Sequence, residues 1–343
     1  MEENTYFVSE PAAEGAPDMP PETAPDSSAA RARKCVSRVG LALFAMMAAQ
    51  YAATLLLSFV LGKMKDVPGL EDWSMLLMGI VPLYLFGLPV LLAVMRGLPA
   101  EPPQKQPTQR LLLRSAPVCM FFTYAGSIAG TLLMSWINAL LPRPVSNGVS
   151  DYVMGEFGWK AIFLTVVVAP VMEELVFRRL LINRLHMYGQ RMAIFVSALA
   201  FGLYHGNFYQ FFYALLLGLV FGYVYVRTGK LWHTMALHAG VNFIGSVISV
   251  KLLERFTENV NAPEEIVKNM QSVLLLGAFA MAMLGAAIAG LTILIKRRRE
   301  IRLEPTPADG VTAGRALLTP GMLLFIIAAC GSFALYMLSY QMR

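Results

Sequence analysis

Runs of about 20 apolar residues recur along this 343-residue chain, the length that crosses the hydrocarbon core of a bilayer. Nine such segments are readable, at roughly 39–62, 73–95, 115–141, 160–182, 191–206, 208–226, 231–250, 272–295 and 318–340. The fifth, of about 16 residues, is short for a crossing and fits a tilted helix in a locally thin region. Hydrophobic residues make up 57% of the chain and charged ones 15%, whereas a soluble globular chain interleaves far more charge. The expected fold is an all-α polytopic membrane protein, a bundle of about 8–9 transmembrane helices. Glycines at 126, 130, 218, 222, 285 and 290 are candidates for close helix approach.

Charge placement sets the expected organisation. The first 30 residues hold seven carboxylates and no Lys or Arg, with several Pro and Ala; they read as a disordered acidic tail, not a signal peptide. Residues 1–38 are this tail with a basic juxtamembrane end, and 39–141 are N-terminal transmembrane helices. Residues 142–295 form a second set of transmembrane helices, and 296–343 a basic linker and C-terminal helix. A polar loop is expected at 142–159 and another at 254–271, the latter with helical character in Pro-Glu-Glu-Ile-Val-Lys-Asn-Met. With the N-terminus in the cytoplasm, twenty of the 28 Lys and Arg residues fall on the cytoplasmic side, the densest cluster at Lys296–Arg299. Topology thus accounts for the net charge of +6, and nucleic acid is not an expected partner. Cys35, Cys119 and Cys330 have no metal-site or disulfide spacing.

Three polar islands interrupt the apolar spans. The first holds Glu173, Glu174 and Arg178, with Pro170 ahead of them. A carboxylate at the centre of a membrane helix costs about 2.5–3.5 kcal/mol or more, so two together call for a function. Glu174 and Arg178 are one turn apart in the favourable order and make an ion pair near the cytoplasmic end. Glu173 points about 100° away, into a cavity. Pro170 should kink the helix and free a carbonyl. The second island holds Phe201 and His205 on one helix face. The third holds His238 and Asn242, one turn apart with Gly240 between them thinning the helix; Asn242 is placed to orient the imidazole or to bond a substrate. Either histidine alone would read as an interhelical bridge. His186 and His233 read as surface or interfacial residues.

The conjunction carries more weight than any island. At the helical rise, Glu173 lies roughly 10–15 Å, His238 roughly 10 Å and His205 roughly 20 Å from the cytoplasmic ends of their helices, so one cavity in the inner half of the bilayer can gather all three. A carboxylate and two histidines handle water in two ways, both open here. Glu173, His205 and His238 can hold a divalent metal such as zinc, which lowers the pKa of bound water to about 7. Alternatively Glu173 is itself the general base, with the histidines and Asn242 stabilising the oxyanion.

The pattern E-E-x-x-x-R, then F-x-x-x-H, then H-x-x-x-N resembles the CAAX-prenyl-protease and bacteriocin-processing family of intramembrane proteases (CPBP, or Abi). Every motif position matches, over roughly residues 115–295. The resemblance implies a membrane endopeptidase reached from the cytoplasmic side. Its site residues would be Glu173, His205, His238 and Asn242, supported by Glu174, Arg178 and Phe201. It implies a peptide, prenylated or leader-peptide protein as substrate, in the cytoplasmic membrane of a bacterium. The chain has no C-terminal C-a-a-X of its own. Two other functions fit the same residues: a non-catalytic immunity or scaffold protein of this fold, and an ion-coupled transporter, which the lack of an inverted repeat disfavours.

Overall fold

The computed structural model describes residues 28–64, 66–104, 109–147, 159–260, 266–307 and 310–342. The acidic tail up to residue 27 and most of the expected loop at 142–159 lie outside them. Each apolar segment of the sequence is a helix, and there is no strand among the described residues. Helix α1 is Ser28–Lys63, α2 runs over 71–94 and α3 is Gln109–Asn138. Helix α4 covers 159–185, α5 is Gln190–Tyr204 and α6 is Phe208–Thr228. Helix α7 covers 231–260, α8 is Ile266–Arg297, α9 is the short Ala313–Leu317 and α10 is Pro320–Gln341. Helices α7 and α8 reach further into 254–271 than the loop expected there.

Among the described residues, seven helices are long and apolar enough to cross a membrane: α1, α2, α3, α6, α7, α8 and α10. The chain is a polytopic membrane bundle. Helix α4 is long but carries charge at its centre, and α5 has only 15 residues, about 22 Å of helix. Helix α5 stops at His205 because Gly206 turns the chain at φ 65°, in the left-handed region. Asn207 then caps α6, its side-chain oxygen accepting from the Gln210 N–H at 3.0 Å. The α5–α6 hairpin therefore ends inside the bundle, and its tip carries His205.

One end of the bundle is basic. There Arg38 of α1 donates to the carbonyls of Val94 and Arg96 at 2.8 Å each, closing the C-terminus of α2. Ser37 accepts the Gly321 N–H at 3.0 Å, joining α1 to α10. At the other end the segment after α3 is strapped down. The Asn138 amide brackets the backbone of Val145 at 3.0 and 2.9 Å, and the Gln341 amide brackets that of Arg143 at 3.2 and 2.7 Å. Tyr209 and Tyr336 donate to the carbonyls of Val145 and Ser146 at 2.9 and 2.8 Å.

Small residues bring the helices together, since hydrocarbon gives no hydrophobic drive for apolar helices to associate. Gly126 and Gly130 of α3 lie against the backbone of residues 208–213 in α6, Gly218 against Ala198 and Gly222 against Ile194. Gly290 of α8 lies against the Pro117 carbonyl of α3. Gly285, expected to serve close approach, instead faces open space. The tightest crossing, between α1 and α10, uses Gly40 and Gly321, where an added Cβ would meet the backbone of Met322 or Ser37. We predict that Gly321→Ala lowers stability by about 1–3 kcal/mol through overpacking. Gly285→Ala, with nothing around it, should be neutral or slightly stabilising. Thermal unfolding of both variants in detergent checks the contrast.

Candidate active site

The ion pair expected in the first island is present and fully enclosed: Glu174 and Arg178 have no exposed side-chain surface. Arg178 Nε is 3.0 Å from Glu174 Oε2, but the N–H does not point along the contact, so this is an ion pair and not an aligned hydrogen bond. The guanidinium is held on its other sides. Nη1 donates to Ser197 Oγ at 3.2 Å, Ser197 donates to the Phe177 carbonyl at 2.6 Å, and the Phe201 ring centroid is 4.8 Å from Cζ. The aromatic face compensates in part for hydrogen bonds the guanidinium does not make.

Glu174 also has a second partner, His238 of α7. Its Oε1 is 3.1 Å from His238 Nδ1. Glu174, ionised beside Arg178, accepts here, so Nδ1 carries the proton and Nε2 is the variable position. His238 Nε2 faces Glu173 Oε2 at 3.7 Å, just beyond hydrogen-bond reach. The imidazole stacks on Phe221, with centroids 5.3 Å apart, and meets the edge of Phe201 at 5.6 Å. Aromatic walls thus fix the ring plane while the carboxylates fix its rotation. The division expected from sequence, Glu174 with Arg178 and Glu173 with the histidines, is only half the arrangement: His238 touches both acids.

Glu173 keeps 19% of its side chain exposed, the most accessible of the three acid–base groups in this cluster. It lines a narrow crevice with Tyr84 of α2, Met46 of α1 and Tyr204 of α5. Tyr204 donates to Gln50 of α1. Neither tyrosine was singled out by sequence. The available signal was Pro82 inside an apolar span: it opens a π-helical stretch, Val81–Gly87, which carries Tyr84.

His205 makes no hydrogen bond to Glu173 among the described residues. Its Nδ1 donates to the Phe201 carbonyl at 2.7 Å, which is free because the His205 N–H turns to Gly202 instead. That bond leaves Nε2 as an acceptor. The His205 ring packs on Phe201 at 4.9 Å, and the same Phe201 ring also meets His238. On its other side His205 lines a cavity of about 400 Å³ with Gln50, Tyr51, Ser332 and Tyr336, walled by α1 and α10.

Asn242 orients the backbone of α4, not the imidazole. The stretch Phe163–Val168 is π-helical, and the Ala169 N–H reaches back five residues to Leu164 O. The next donor in that register would be residue 170, a proline without an N–H. The Thr165 carbonyl is left open, and Asn242 Nδ2 donates to it at 2.8 Å. Pro170 does free a carbonyl, as expected, and α7 supplies the missing donor.

No group of three His, Cys, Asp or Glu side chains gathers at metal-site distances among the described residues. Glu173 and His238 approach each other, but His205 does not join them at metal-site distances, so the three do not form a ready ligand set. His186, in the loop after α4, donates from Nε2 to the Glu101 carbonyl at 2.7 Å. His233, expected at the surface or the interface, is buried within the protein with neither ring nitrogen bonded. Its orientation follows from α7 being enclosed near its start, which residue spacing does not reveal.

Removing one member of a buried pair strands the other, at about 3–5 kcal/mol. Arg178→Met should therefore destabilise strongly, while the double variant Glu174→Gln with Arg178→Met should recover much of that loss. Unfolding temperatures of the two variants, measured side by side, check the coupling.

Residues 155–244 match the family model described as "Type II CAAX prenyl endopeptidase Rce1-like". The Bacillus subtilis (strain 168) protein named "Putative membrane peptidase YdiL" is 21% identical over 107 residues, 31% of this chain and 44% of that protein. The chain thus matches less than half the length of that relative. No solved structure matches it. The resemblance drawn from the three islands holds over 155–244, and all three islands lie within that stretch.

Proposed function

We propose that this protein is an intramembrane endopeptidase that hydrolyses peptide bonds of membrane-associated substrates. The observation that carries the proposal is His238 held between two carboxylates, one neutralised by Arg178 and the other partly open. Glu173 takes a proton from water, and the resulting hydroxide adds to the scissile carbonyl carbon. Protonated His238, its charge balanced by Glu174, stabilises the oxyanion. The proton taken by Glu173 then passes to the departing amine as the C–N bond breaks. Asn242 positions His238 by tying α7 to the open carbonyl of α4.

The resemblance to CAAX prenyl endopeptidases favours prenylated or leader-bearing peptides as substrates. The concentration of Lys and Arg at one end of the bundle favours a cytoplasmic N-terminus, with the site in the inner half of a bacterial cytoplasmic membrane. No step is routed through a metal, because the three candidate ligands are not gathered.

A purified preparation should cleave fluorogenic peptides with C-a-a-X or leader sequences. Glu173→Gln should lower kcat by roughly 10²–10⁴-fold with the unfolding temperature unchanged. Undiminished cleavage by that variant would overturn the proposal. Chelator should leave wild-type cleavage intact; loss of activity restored by zinc would reassign Glu173 and His238 as ligands. Asn242→Ala should lower both kcat and stability, the latter by about 1–2 kcal/mol, since it strips the Thr165 carbonyl of its donor.

A further inference from the structure

A second cavity, of about 340 Å³, lies among α3, α5, α6 and α8 at the basic end of the bundle. It shares no lining residue with the crevice at Glu173. Val118, Leu219, Ile293 and Leu294 form its apolar wall. Ser115, a polar residue inside it, already donates to the Leu111 carbonyl at 2.8 Å. The wall therefore offers an occupant apolar contact and little hydrogen bonding. The mouth is different in kind. Arg114 and Arg297 stand there, both partly exposed, around one carboxylate, Glu300. Arg297 Nη1 donates to both Glu300 oxygens at 2.6 and 2.9 Å, and Arg114 Nη1 is 3.6 Å away. Two guanidiniums share one carboxylate, so a positive charge and several N–H donors remain unspent. Arg298, Arg299 and Arg302 are exposed close by in the chain.

We propose that this cavity binds one anionic phospholipid, its acyl chain against the α3–α8 wall and its phosphate between Arg114 and Arg297. An apolar slot between membrane helices with a cationic rim selects a molecule that is apolar at one end and anionic at the other. A phosphodiester fits the planar fork of arginine, which binds phosphate through paired N–H donors. The bound lipid would brace α8 against α3, where the Gly290–Pro117 crossing already brings the backbones close. The inference is independent of the catalytic reading.

Native mass spectrometry of the full chain in detergent, titrated with dioleoyl phosphatidylglycerol, tests it. One phosphatidylglycerol should bind per chain, more tightly than phosphatidylcholine, and glycerol 3-phosphate should not bind. Arg114→Gln and Arg297→Gln should each weaken phosphatidylglycerol binding roughly fivefold. Ile293→Trp, which fills the slot and keeps the rim, should abolish it. The pair Arg31→Gln and Arg33→Gln removes twice the charge of either rim variant elsewhere at the same end and should leave the preference unchanged. Equal binding of phosphatidylcholine, wild-type affinity in both rim variants, or tight binding of glycerol 3-phosphate alone would each overturn the proposal.

Discussion

The buried charge on Glu174 is the constraint around which the rest of the structure is arranged. A carboxylate without water must be neutralised or protonated. Here Arg178, one turn along its own helix, neutralises it, and His238 of α7 donates a hydrogen bond to it. The ion pair is off-axis, and Arg178 itself needs Ser197 and the Phe201 ring to be tolerable in the interior. Helices α4, α5 and α7 are thereby bound to one electrostatic centre. Buried ion pairs give little net stability against an apolar replacement, so what this one supplies is the orientation of a histidine.

Backbone irregularity is concentrated around the same centre. π-Helical stretches precede and follow Glu173 and Glu174, another follows Asn242 directly, and a fourth carries Tyr84. Each shifts the facing of the residues beyond it, and in an apolar medium every freed carbonyl needs a new donor. The bond from Asn242 to Thr165 meets that need, so the same polar contact repairs the backbone of one helix and fixes the rotation of another.

The pattern of the three islands was readable because short-range spacing on a helix dictates facing. Glu174 and Arg178 are one turn apart, and so are Phe201 and His205; both pairs meet in the structure. What spacing could not reveal lay across helix crossings. The contact of Glu174 with His238 spans 64 residues of chain, and no periodicity encodes it. Asn242 matched a side-chain motif, but its partner is a backbone atom exposed by a proline 72 residues earlier in the chain. Tyr84 stands outside the motif-bearing helices. The glycines show the same division: Gly126 and Gly290 serve crossings while Gly285 does not, and only the neighbouring helix decides which.

The joining of α1 to α10 gives the fold a temporal character. Ser37 and Gly321, bonded in the finished bundle, are 284 residues apart in the chain. At about 5–20 residues per second, α1 waits roughly 15–60 seconds in the membrane before its partner emerges from the ribosome. Until then the groove at Gly40 faces lipid, and the cavity behind His205 lacks the wall that Ser332 and Tyr336 provide. The polar constellation can therefore be inserted well before its enclosure is complete, and α10 acts as the closing stave of the wall around it.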